Sequence, residues 1–229
     1  MLVKGLLTQM SGSVGGLTGF HSASGLCLRA RAIPVDPGTS YQTAIRNALV
    51  VASTRWGSTL TQAQRDAWEV YASAVSVKNA LGDSINLSGL NHYVRSNAIR
   101  IQTGLPIVDD GPTVYSLPSF TDPSFAIDEP NDEVDVSFTA TDDWANEDDA
   151  AALVYASRPM APTINYFKGP YRFASSIEGD SVTPPTSPAA IVLPFVVTTG
   201  QQMGFRFRVS RADGRLSPSF RGVDFVPVP

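Results

Sequence analysis

Cysteine is nearly missing from this chain: Cys27 stands alone in 229 residues, so no internal disulfide can staple the fold. Histidine is almost as scarce. His21 and His92 with one thiol are too few soft donors for a zinc site, and no H-x-x-x-H pair is present. Long apolar runs are lacking too. No stretch approaches the roughly 20 residues that span a bilayer. MLVKGLLTQM at the start is too broken for a secretory signal, so the expectation is a cytosol-like compartment and no membrane partner. Charged residues make up 17% of the chain, with a formal net charge of -4.

Reactive constellations are short as well. The glycine-rich stretch SGSVGGLTGF, Ser11 to Phe20, invites a phosphate-loop reading, but Gly19 is followed by Phe20 and His21 where a P-loop needs Lys and Ser or Thr. The spacing Gly12, Gly15, Gly16, Gly19 also misses the dinucleotide fingerprint, and no helical pattern opens from it. Around Ser13 the nucleophile elbow G-x-S-x-G fails, because Ser11 takes the place of the first glycine. Cys27 lies among small apolar residues and reads as a packed thiol, and His92 reads as a surface or interface residue of a helix. The acidic run DDWANEDD, Asp142 to Asp149, lacks the glycine and spacing of an EF-hand and reads as a solvated loop between two strands. No enzyme activity, catalytic residue, cofactor or metal is expected.

What is present is organised in halves. Residues 1 to 110 hold nine Lys and Arg against six Asp and Glu, net +3, and residues 111 to 229 hold eight against fifteen, net -7. In the first half, Arg29, Arg31, Arg46, Arg55, Arg65, Arg95 and Arg100 are dispersed. That pattern favours directed protein contacts over a nucleic-acid face, which calls for denser positive charge.

Residues 1–38 read as a glycine-rich extended β arm. Leu26, Leu28, Ala30 and Ala32 alternate with Cys27, Arg29, Arg31 and Ile33 until Pro34, and large side chains for a separate core are few. Residues 39–104 read as a three-helix unit. Thr39 with Gln42, and Thr61 with Gln64, fit capping boxes; Ser88 caps a third helix that Gly104 and Pro106 end. Ile45, Ala48, Leu49, Ala52 and Trp56 form one stripe, Trp68 and Tyr71 belong to the second, and Tyr93 to the third. Trp56, Trp68, Tyr71 and Tyr93 are therefore the expected helical packing residues. The stripes are narrow, so support from the arm or a second subunit is expected. Residues 105–123, dense in Pro, Gly and Asp, read as a linker. Residues 124–229 read as an antiparallel β-sandwich of fibronectin type III or immunoglobulin-like kind, within an α+β chain. GFRFRV carries the clearest strand signal, with Phe205, Phe207 and Val209 inward and Arg206 and Arg208 outward.

The first 105 residues or so resemble a loosely defined group of tailed-bacteriophage virion proteins. The motifs concerned are SGSVGG at 11 to 16, RARAIP at 29 to 34, TSYQTAIR at 39 to 46, WGSTLTQAQRDAW at 56 to 68 and NLSG at 86 to 89. The resemblance implies a structural component of the virion, assembled in the host cytoplasm, with no family catalytic residues to carry over. Joined to the build above, it leads to a capsid cement or decoration protein that contacts copies of itself, as a trimer or ring, and other virion proteins such as the major capsid or tail proteins. Gly12, Gly15, Gly16, Gly19, Arg29 and Arg31 are the expected subunit interface. The alternatives are a head-to-tail connector, a tail or baseplate component, or a host-binding adhesin module using Tyr166, Phe167 and Tyr171.

Overall fold

The computed structural model describes residues 11–226 apart from Ser24, Ala80, Asn165, Tyr166 and Lys168. The chain divides into two compact units, Met1–Ser40 and Tyr41–Pro229. In the first, β1 (Gly12–Val14), β2 (Leu17–Ser22) and β3 (Gly25–Ala30) form an antiparallel sheet in chain order. Val14 pairs with Leu17, which leaves Gly15 and Gly16 as a two-residue hairpin loop. Such loops need positive φ to follow the strand twist, and Gly15 supplies it at 57°. Gly12 and Gly19 face each other within the strands, so the glycine run lies in a hairpin. The strand expected to run to Ile33 stops at Ala30.

The second unit opens with α1 (Ser40–Ser58), α2 (Gln62–Ala74) and α3 (Gly89–Thr103). Thr61 caps α2 as the sequence demands: its hydroxyl accepts from the Gln64 amide, while the Gln64 side chain accepts from the Thr61 amide. Ser88 caps α3, and Gly104 closes it with φ of 81°, a left-handed turn that a Cβ would strain. Between α2 and α3 stands a hairpin that the sequence reading did not anticipate, β4 (Ser76–Lys78) paired with β5 (Ser84–Asn86). Its loop is held by the Asn79 side chain, which accepts from the Leu81 and Asp83 amides.

Residues 105–123 contain no helix or strand, as their composition suggests, yet they are bound to the helices along the first part of their length. Asn97 donates to the Val108 carbonyl at 2.9 Å and accepts from the Val108 amide at 2.8 Å. Gly111 runs so close to α2 that a Cβ there would stand 2.6 Å from the Ala67 carbonyl carbon.

Seven strands follow: β6 (Ser124–Asp128), β7 (Glu133–Ser137), β8 (Ala151–Ser157), β9 (Tyr171–Glu178), β10 (Ala189–Val192), β11 (Gln202–Ser210) and β12 (Phe220–Phe225). They pair antiparallel in two sheets, of order β10-β7-β6 and β12-β11-β8-β9. Both sheets feed one core. Val134, Val136 and Ile191 come from the first; Ala152, Val154, Phe205, Phe207 and Val209 come from the second. Phe125 stacks on Phe205 with ring centroids 4.8 Å apart. The molecule is thus a mixed α+β protein with three α-helices and several antiparallel sheets among the described residues.

DDWANEDD lies between β7 and β8, but its middle is not solvated. A 3-10 turn at Asp143–Asn146 drives Trp144 and Ala145 into the core, while the carboxylates of Asp142 and Asp148 accept from the amides of Thr121 and Ser181.

Candidate functional site

The residues expected at a subunit interface lie in the N-terminal sheet or its hairpin loop, except Arg31, which directly follows β3. Gly12 and Gly19 are paired strand residues, Gly15 and Gly16 form the hairpin loop, and the Gly16 carbonyl accepts from the Arg31 amide at 2.8 Å. Arg29 lies over the Phe20 ring at 5.3 Å, a cation–π contact that spreads its stem across the sheet. Cys27 is half-buried, with Sγ 3.2 Å from the Ser22 hydroxyl. Among the described residues of this unit only Gly19 and Leu26 are buried. Val14, Leu17, Ile33 and Val35 are exposed, Val35 at 88%.

Trp56, Trp68, Tyr71 and Tyr93 meet in one cluster. Tyr93 lies 5.4 Å from Trp56 and 5.6 Å from Trp68, and Tyr71 packs edge-on to Trp68 at 5.9 Å. Edge-to-face rings match the positive rim of one to the negative face of the next. The Tyr93 hydroxyl and the Trp68 indole converge on Asp109, a residue of the 105–123 segment whose composition suggests a linker. Its carboxylate accepts from Tyr93 at 2.9 Å and from the Arg55 guanidinium at 2.8 and 2.6 Å, and its carbonyl accepts from the Trp68 indole at 3.0 Å. The Arg55 bonds hold the Asp109 carboxyl below its usual range, and burial pushes the Tyr93 phenol well up. Tyr71 is pushed up to about 12, also by burial. Arg55, Trp68, Tyr93 and Asp109 satisfy one another, which makes the cluster a core with a polar clasp.

His92 is a correction: expected at a surface or interface, it is 3% exposed and packs edge-on to Tyr71 at 5.2 Å. Its frame beside Tyr93 on α3 turns it toward α2, and burial lowers its pKa. For the aromatics read as a possible host-binding surface, Tyr166 lies outside the described residues. Phe167 and Tyr171 are half-buried and pack on each other at 5.5 Å.

A cleft of about 680 Å3 lies within the Tyr41–Pro229 unit, between the β4–β5 hairpin and the outer face of β11 and β12. Lys78, Arg95, Arg206, Arg208 and Arg221 line it, and none of the described residues that line it is acidic. Only half of this was visible in the sequence. The alternation of GFRFRV places Arg206 and Arg208 on one face, but nothing local foretells that Arg95 of α3 and Lys78 of β4 face them.

Among the described residues, no group of three or more His, Cys, Asp or Glu is arranged to hold a metal ion, and no helix is long and apolar enough to cross a membrane. No protein-family model matches the chain, and a comparison with curated proteins found no match.

Proposed function

We propose that this chain is a non-enzymatic structural protein of a tailed-phage particle, a capsid cement or decoration protein that assembles through its N-terminal residues. The observation that carries this reading is the N-terminal unit, in which, among the described residues, only Gly19 and Leu26 are buried while Val14, Leu17, Ile33 and Val35 are exposed. Three short strands with so little buried surface are marginal alone, and β1 and β3, the edges of the sheet among the described residues, offer backbone groups to another strand. Residues 1–38 then act as an arm. It joins copies of the chain in a trimer or ring and docks on other virion proteins, the major capsid protein foremost. In the second unit Leu49, Val50 and Val51 of α1 are exposed as well, apolar surface available to partners. In this reading the two C-terminal sheets form a sandwich of fibronectin type III or immunoglobulin-like kind.

The test is deletion of residues 1–33 in the full chain, followed by mass measurement in solution and by incorporation into particles. Loss of both is expected. Unchanged oligomerisation and incorporation would refute the arm.

A further inference from the structure

We infer that the cleft between the β4–β5 hairpin and strands β11 and β12 is a binding site for an acidic peptide segment of a partner protein, with carboxylates seated among Arg95, Arg206, Arg208 and Arg221. The first ground is charge without balance. Arg206 stands directly opposite Arg221 in the β11–β12 ladder, a like-charge pair that destabilises a sheet unless an anion joins it. The Arg206 Nε is buried and has no hydrogen-bond partner, while its guanidinium lies over the Tyr171 ring at 5.7 Å. Arg208 gives its Nε and Nη2 to the Ser217 carbonyl at 3.2 and 2.8 Å and, among the described residues, pairs with no carboxylate.

Burial pulls Arg208 down to about 9, with Arg95 and Arg206 adding repulsion; burial lowers Arg95 too. Guanidinium groups stay protonated at neutral pH, so the cleft holds real, poorly compensated positive charge. An incoming carboxylate makes charge-assisted, fork-shaped bonds in a place already stripped of much of its water.

The second ground decides between anions. Val77, Ile85 and Leu117 also line the cleft, and its volume falls within the roughly 300–1,000 Å3 typical of organic-ligand sites. A bare phosphate leaves these apolar positions uncovered. A long nucleic acid would need positive charge well beyond the cleft, and residues 111 to 229, which supply three of its five cations, carry net -7. A short segment alternating acidic and apolar residues satisfies both the arginines and the apolar positions. The chemistry of the cleft stands whatever the N-terminal sheet does.

The experiment uses the full chain and a labelled, end-blocked peptide of alternating glutamate and leucine, with binding followed by anisotropy and thermal melting. The peptide is expected to bind and to raise the melting temperature, more strongly at low salt. R221E, at an exposed position, is expected to weaken binding at least tenfold while raising the melting temperature of the free protein, because it places a carboxylate opposite Arg206. R206Q is the second variant, expected to weaken binding and leave the free protein as stable or more so. Failure of the peptide to bind, or binding by both variants as tight as that of the parent, would overturn the site. So would a drop in melting temperature in both variants, which would mark the arginines as structural. Displacement of the peptide by inorganic phosphate or oligothymidylate at equal charge concentration would overturn the peptide assignment.

Discussion

Arg95 and Arg100 sit five residues apart on α3, both drawn out of water and neither paired with a carboxylate among the described residues, yet their surroundings differ completely. Arg100 is fully buried and spends its donors on the Pro106, Arg211 and Asp149 carbonyls and the Ser210 hydroxyl, at 2.5 to 3.3 Å. It pins α3 to the end of β11 and to the chain before β8. Arg95, about 140° around the helix by the 3.6-residue repeat, faces Tyr71 and Arg206, and Arg206 repels it. A buried cation with carbonyl acceptors on every side is structure. A cation beside other cations in an open cleft is a site awaiting an anion.

The largest expected effect tests the structural half. Arg100→Met would leave three carbonyls and a hydroxyl without their donor, a loss of about 3 kcal/mol or more by urea denaturation. A loss under about 1 kcal/mol would break the distinction. Next, Tyr93→Phe removes one donor from Asp109 while Arg55 remains, so the expected loss is about 1–2 kcal/mol. Thr61→Ala removes a cap whose geometry is complete and is expected to lower stability by about 1 kcal/mol. Arg95→Met carries the opposite sign: stability within about 1 kcal/mol of the parent, on the gaining side, because relief of repulsion offsets lost contacts. Equal losses at Arg95 and Arg100 would erase the comparison.

The smallest effect is in pH. Burial depresses the His92 pKa, so the folded chain holds that proton more weakly than the unfolded chain. Its contribution is complete above the unfolded value of about 6.5 and declines as pH falls from there toward the folded value. Denaturation midpoints between about pH 7 and pH 5 should fall less in His92→Gln than in the parent.

Local signals were readable where the cause is local. Thr61 with Gln64, Ser88, and Gly104 set the ends of α2 and α3 because capping is settled within one turn. The alternation of Phe205, Phe207 and Val209 gave β11 and its buried face. Strand β6 and the β4–β5 hairpin were missed, since SFAID and SVK are too short for their period to stand out. Trp144 was masked by its acidic neighbours, and Pro194 lies two residues past Val192, where β10 ends. Asp109 carried no local sign at all. Its partners Trp68 and Arg55 lie 41 and 54 residues away in sequence.

Period, caps and turn glycines, fixed by neighbours within a few residues, made the sequence sufficient to decide which segments are helical and which face of β11 is apolar. The tertiary structure decided what the polar face would meet. Arg206 and Arg208 were bound to point away from the core, but only the packing of the helices and the β4–β5 hairpin beside them turned that outward face into a cleft. Charge proximity across more than 100 residues of chain depends on how elements stack, and no local pattern encodes it.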